Sequence, residues 1–326
     1  MKRTFIALFG FVYAIGTMAQ VTLKSRWQNG NLFFYTEEKK VKGMFHLSGG
    51  SCHEGGYEFC LQPNGENKYI YKAVDEEFAY SSLNAPFESK VVCKTILGTQ
   101  HLLVYKDGRL VEVLKKMGKN QYLRDILVQD IKNMFEGVYT DKKTGAEFVL
   151  FGEDGKTIKG IPSVKSFEVQ SEFETPCNVI KLNNGKYVRL KFTIDGINLY
   201  YTELNGDDCF SEEDDRLAYK LVKVKSCLAE KAGIKGFWPL ASNSLLTIGF
   251  LNSYPNEILQ LMKNEIYARH GHRFNAGGKM EKYFSAQPWY KPAEKETPLT
   301  EVEEMNVMLI QAVMQKEDRY PYELAD

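Results

Sequence analysis

"KYVRLKFTIDGINLYYTEL", residues 186–204, holds two strand-like runs on either side of Asp195-Gly196. Asp-Gly and Asn-Gly pairs suit the positive φ values that tight hairpin turns need, so this stretch predicts an antiparallel hairpin. The same signal recurs at Asn29-Gly30, Asn64-Gly65, Asp107-Gly108, Asp154-Gly155, Asn184-Gly185 and Asn205-Gly206. Most of these pairs adjoin strand-like runs such as "LFFYTE" (32–37), "NKYIYKA" (67–73), "HLLVYKDGRLVEVL" (101–114) and "AEFVLFGEDGKTIKGI" (146–161). Turn signals at this spacing predict antiparallel sandwiches or barrels over residues 21–225. The 20 Phe and 19 Tyr of the chain point the same way, because aromatic side chains suit a pleated, half-buried surface.

One helical pattern interrupts the strands. In "QYLRDILVQDIKNMF" (121–135), Leu123, Ile126, Leu127, Ile131 and Met134 recur at helical spacing. A domain boundary is placed beside it, giving β-rich domains at 20–117 and 118–228. From Tyr254 the pattern becomes helical again. In "YPNEILQLMKNEIYARHG" (254–271), Ile258, Leu259, Met262, Ile266 and His270 share one face at about 100° per residue. Gly271 sits where a left-handed residue ends a helix. "GGKMEKYFSAQ" (277–287) predicts a short helix with Met280, Tyr283 and Phe284 inward, and "PWYKP" (288–292) a rigid corner. Thr300 with Glu303 forms a capping box ahead of Val302, Met305, Leu309 and Val313. The expected fold class is therefore α+β multidomain, with two antiparallel β-rich domains followed by a small helical bundle at 229–326.

The first nineteen residues read as a signal peptide. Lys2 and Arg3 form a basic start, Phe5–Ile15 an apolar run too short to span a bilayer, and Thr17-Met18-Ala19 the small residues of a cleavage site. Cleavage after Ala19 leaves no cysteine at the new terminus, which argues against a lipid anchor. No later run is long and apolar enough for a membrane span, so the expected location is periplasmic or secreted. Lys plus Arg and Asp plus Glu both total 42, and this balance argues against nucleic-acid or anionic-membrane binding.

In an oxidising compartment the six cysteines, Cys52, Cys60, Cys93, Cys177, Cys209 and Cys227, are disulfide candidates. Cys60 and Cys93 lie in the strand-like runs "YEFCLQ" and "KVVCKTI" and could staple neighbouring strands.

Three separated segments then point to a family. "NEIYARHGHRF" (264–274), "YFSAQPWY" (283–290) and an acid-rich last helix carrying Asn306 appear in that order. Over residues 240–318 the chain resembles the YARHG domain, an extracellular bacterial module. The resemblance implies an extracytoplasmic setting beside other envelope domains, and implies no reaction.

Two readings of the motif compete. In the packing reading Gly271 ends the helix, His270 joins the apolar face, and Glu265 pairs with Arg269 at its edge. Trp289 and Tyr290 then cover the helix end, and Arg273 or His272 caps its last carbonyls. In the functional reading Tyr267, Arg269, His270, Arg273, Trp289 and Tyr290 form a pocket for an anionic or sugar ligand. Tyr267 falls opposite the apolar face, so it is either exposed or packed on another segment. His with Glu could do acid–base work, but every residue has a packing role available, and that reading is favoured.

Other candidates are weaker. Cys52, His53 and Glu54 are consecutive, and consecutive side chains diverge. His270 and His272 are two apart, wrong for one metal on a helix face, and no metal or nucleophile motif is present. Six acids between Asp207 and Asp215 could offer oxygen ligands to calcium, but their spacing is not that of an EF-hand, and a solvated loop is the preferred reading. These features predict a non-catalytic envelope protein without a cofactor, binding cell-wall glycan or an envelope protein. The rivals are an envelope hydrolase with its site in the β domains, and an apolar-ligand carrier with a lipocalin-like barrel, hinted at by "FEGVY" (135–139).

Overall fold

A computed structural model of the chain describes residues 26–30, 33–41, 44–50, 55–66, 68–73, 90–172, 175–205, 210–316, 319 and 321–325. The expected signal peptide, Cys52, His53, Glu54, Gly206, Asp207, Asp208 and Cys209 lie outside them, as does the side chain of Cys60.

Strands β1 to β8 are Arg26–Gln28, Phe33–Val41, Met44–Gly50, Gly55–Pro63, Lys68–Ala73, Lys90–Ile96, Thr99–Lys106 and Arg109–Lys116. Each pairs antiparallel with the next, and β1 pairs with β8, so the sheet closes into a barrel. The closing register is short, with Trp27 opposite Lys116 and Gln28 opposite Lys115. Across β6, β7 and β8 the register aligns Cys93 with Leu102 and Leu102 with Leu114, and Val91 with Val104 and Val104 with Glu112. Strand side chains alternate between faces, so these residues share the interior with Trp27. Leu103 and Val113 point outward, yet are buried against the C-terminal helices in one continuous core.

Helix α1 (Leu123–Phe135) buries Leu123, Ile126, Ile131 and Met134 as the periodicity predicts, while Leu127 stays half-buried. Strands β9 to β16 follow: Gly137–Asp141, Glu147–Leu150, Ile158–Lys159, Phe167–Glu172, Thr175–Leu182, Tyr187–Thr193, Gly196–Thr202 and Arg216–Lys225. They form one antiparallel sheet in the order β11-β10-β9-β16-β15-β14-β13-β12. The "FEGVY" segment runs from the end of α1 into β9 of this sheet and is not part of the barrel, so it carries no sign of a lipocalin-like cavity.

The hairpin at 186–204 forms, but its turn is displaced by one residue. Thr193 pairs with Gly196 across an Ile194-Asp195 turn, so Gly196 begins β15. A Cβ on Gly196 would lie 2.0 Å from the carbonyl oxygen of Leu221 in β16, so glycine is needed for close strand approach rather than for turn geometry. Asp107-Gly108 does occupy its turn, with φ of 48° and 76°. Leu97-Gly98 does the same at 48° and 78°, a turn with no Asn or Asp to signal it.

The C-terminal helices are α2 (Cys227–Ala232), α3 (Leu240–Asn243), α4 (Ile248–Asn252), α5 (Asn256–Arg269), α6 (Lys279–Ser285) and α7 (Glu301–Met314). Gly271 follows α5 in the left-handed region at φ 83°, and the Thr300–Glu303 capping box opens α7, both as predicted. Asn29 and Gly30 at the barrel mouth meet α4: the amide of Gly249 donates to the Asn29 carbonyl at 2.8 Å. A Cβ on Gly30 would lie 2.8 Å from Phe250 N and Thr247 Oγ1. At the other side Phe192 of β14 stacks between Phe135 (4.5 Å) and Tyr254 (5.3 Å), joining sheet, α1 and the C-terminal region.

The cysteine expectation is corrected where side chains are described. Cys93 and Cys227 are buried free thiols, and burial pushes the Cys93 thiol up to about 11. The Cys60–Cys93 staple cannot span neighbouring strands, because β5 lies between β4 and β6. Cys177 is buried beside Val179 and Phe210, its sulfur 3.6 Å from the Gln170 carbonyl.

Candidate functional site

The motif residues at the end of α5 are gathered into one internal network. Glu265, expected to pair with Arg269 at the edge of the apolar face, does pair with it but has no solvent exposure. Its carboxylate accepts from the amides of Phe237 (2.8 Å) and Trp238 (2.9 Å) and pairs with Arg269. Gly236, at φ 97°, makes this possible, since a Cβ there would lie 2.4 Å from the Glu265 carboxyl carbon. Burial pushes the Glu265 carboxyl up, while Arg269 and the two amides pull it back. Arg269 also donates through Nε to the Lys235 carbonyl (2.6 Å) and through Nη1 to Ser242 Oγ (2.8 Å).

His270 continues the network to α7. Its Nδ1 lies 2.8 Å from Thr297 Oγ1 and its Nε2 2.9 Å from Glu303 Oε2. Ser242 donates to the other oxygen of Glu303 at 2.5 Å. Burial alone would raise the Glu303 carboxyl, yet bonds from Ser242 and Thr300, with His270 opposite, hold it below its ordinary value. Asn306 is fully buried: it accepts from Leu246 N (2.9 Å) and donates to the carbonyls of Ala241 (2.9 Å) and Ser244 (2.8 Å). The sequence placed Asn306 in the pattern without showing this role.

The remaining motif residues form an aromatic corner. Tyr267 is half-buried against the core with its ring 5.8 Å from that of His272, which resolves its position opposite the apolar face. Tyr290 donates to the His272 carbonyl at 2.7 Å. Neither Arg273 nor His272 caps α5 through its side chain: Arg273 donates to the Ala293 carbonyl (2.9 Å) and His272 faces Glu296 (2.8 Å). The carbonyls of His270 and Gly271 instead accept from the amides of Thr297 (3.1 Å) and Ala293 (2.9 Å). Trp289 is half-buried, and its indole N–H is enclosed without an acceptor among the described residues.

Residues 235–315 match the family model of the YARHG domain. The match falls on the C-terminal third and overlaps the 240–318 span of the resemblance, beginning slightly ahead of it and ending slightly short of its end. No curated protein and no solved structure matches the chain. The YARHG domain typically occurs in extracellular proteins, and no helix among the described residues is long and apolar enough to cross a membrane.

Outside this module, two of the acids in the 207–215 loop are engaged. Asp215 pairs with Arg189 at 3.1 Å, and Glu212 bonds to Lys191 at 2.6 Å. Three or more metal-ligating side chains do not converge anywhere among the described residues.

Two recesses open where the YARHG module meets the rest of the molecule. A groove of about 1010 Å³ lies between the β7–β8 hairpin and α7, and its lining includes Lys106, Arg109 and Lys263 together with Met308, Ala312 and Met314. A smaller cleft of about 230 Å³ lies between the barrel seam, α1 and the α3–α4 loop. Neither was found from the sequence, because each is lined by residues far apart in the chain.

Proposed function

We propose that this is an exported, non-catalytic envelope protein, periplasmic or secreted, that binds cell-wall glycan. The module's motif residues serve to lock α5, α7 and the 235–246 loops together, and the binding surface is the groove beside α7. The groove carries the proposal: three cations, Lys106, Arg109 and Lys263, line it with one acid, Asp107, beside the apolar side chains of Met308, Ala312 and Met314. Such a channel suits an extended polymer bearing carboxylates, as cell-wall glycan with its peptide stems does, and opposite charge favours encounter. The aromatic corner of Tyr267, Arg273, Trp289 and Tyr290 is proposed as a secondary contact, with Arg269 and His270 supporting it from behind.

The test is co-sedimentation of the full chain with purified sacculi, beside an Arg109→Glu, Lys263→Glu double variant. The expected result is a pelleting wild type, a variant left in the supernatant at low salt, and weaker pelleting of both as salt rises. A wild type that stays in solution overturns the glycan reading, and capture of an envelope protein by cross-linking through this groove would put a protein partner in its place.

A further inference from the structure

The cleft at the barrel seam has a different chemistry from the groove, and its occupant does not depend on what the groove binds. Three parts of the molecule build it. The barrel contributes Gln28 and Lys115, which face each other across the closing register. Helix α1 contributes Asp125, Gln129, Asp130 and Asn133, and the α3–α4 loop contributes Ser244 and Thr247. Leu240, Leu246 and Phe250 supply an apolar wall.

Among these groups Asp130 stands out. The structure gives its carboxylate no hydrogen bond or ion pair from any described residue, although the side chain is half-buried. Gln129 and Asn133, one helical turn apart, bond to each other at 2.8 Å, and Gln28 accepts from the Gly30 amide at 2.5 Å, so neither arrangement serves Asp130. A carboxylate partly withdrawn from water and without a protein donor, facing an open cleft, is best served by a ligand donor, and a cationic donor serves it most. Lys115 also lines the cleft, but the two carboxylates of Asp125 and Asp130 outnumber its single ammonium. The remaining polar lining is amide and hydroxyl, able to donate and accept.

We infer that this cleft binds a small primary amine carrying hydroxyl groups. The ammonium sits against Asp130, the hydroxyls meet Lys115 and the amides, and the C–H face of the ligand lies on Phe250 and Leu246. At about 230 Å³ the space is below the range of about 300–1,000 Å³ common for larger ligands, which selects a compact ring or a short chain. Consistent with this environment, burial pushes the Asp130 carboxyl up to about 7, with Lys115 pulling it down, and a bound cation would pull it down further.

Isothermal titration of the full chain at pH 7 with glucosamine, N-acetylglucosamine, glucose and lysinamide tests this. Glucosamine is expected to bind at least tenfold more tightly than N-acetylglucosamine, whose amine is acylated, and than glucose. Asp130→Asn is expected to weaken glucosamine at least tenfold without lowering the melting temperature, and Gln129→Trp, which fills the cleft from an exposed position, to weaken it without touching the carboxylate. Lysinamide has amines and no hydroxyl, so binding as tight as that of glucosamine would overturn the requirement for hydroxyl groups. Equal binding of glucosamine and N-acetylglucosamine, no binding of either amine, or undiminished binding by Asp130→Asn overturns the inference. Pelleting with sacculi reports on the groove alone, so the two proposals fail separately.

Discussion

The barrel and the YARHG module each bury a glutamate completely, and they treat it differently. Glu265 in the module meets two loop amides and a guanidinium. Glu112 in the barrel meets Asn29 Nδ2 at 3.2 Å and the amide of Val113 at 2.7 Å, with no ion pair among the described residues, and burial pushes its carboxyl up to about 8 while its two hydrogen bonds and the charge of Lys316 pull it down. Nearby His101 is also buried, with Nδ1 unsatisfied, and burial followed by Lys115 pushes it down to about 4. The module uses buried charge as a fastener, satisfied on every side. The barrel keeps its buried ionisable groups close to neutral.

The largest expected effect tests the fastener. Arg269→Ala strips the cation from Glu265 and should destabilise the protein by about 3–5 kcal/mol in a denaturant titration. A loss under about 1 kcal/mol would mean the amides of Phe237 and Trp238 suffice alone. Next comes the glutamate of the barrel. Because the folded-state carboxyl of Glu112 titrates near 8, above its ordinary value of 4.5, the stability tied to its protonation is complete at low pH. It is lost as pH rises through that window. Thermal melts from pH 5 to 9 should show wild-type stability falling, and a flatter profile for Glu112→Gln. Identical profiles would show that Glu112 titrates normally.

Two smaller changes sharpen the contrast between crowding and capping. Gly196→Ala drives a methyl group into the Leu221 carbonyl and should cost about 1–3 kcal/mol by displacing β15 from β16. Thr300→Ala removes the capping box of α7 and should cost about 1 kcal/mol. A Gly196→Ala protein as stable as wild type would show that the hairpin tolerates a shifted register.

Periodic features were legible in the sequence. The hairpins, α1, α5 with Gly271, and the capping box of α7 each rest on residues within a dozen positions of one another, where spacing alone constrains geometry. The Glu265–Arg269 pair was legible at its i,i+4 spacing, but the complete burial of Glu265 was not, because it also rests on the amides of Phe237 and Trp238, and amide positions leave no mark on residue type. The turn at 194–195 was displaced because Gly196 answers to Leu221, a contact between strands and not within one turn. The closing of β1 on β8, the groove and the Asp130 cleft all depend on long-range pairing. Even cysteine number misled: Cys60 and Cys93 read as neighbours until β5 separates them.

The β1–β8 seam has a temporal consequence. Among the described residues two register pairs close the barrel, and the turn that follows β1 is held by Gly249 of α4. In a chain made or translocated from its N-terminus, the strands emerge well before α4 does. The barrel therefore passes through an interval in which its sheet is complete but its join is unlatched. Any holdase or protease that acts on this protein during biogenesis should find its opening at Arg26–Gly30, and that opening should close when the residues around Gly249 arrive.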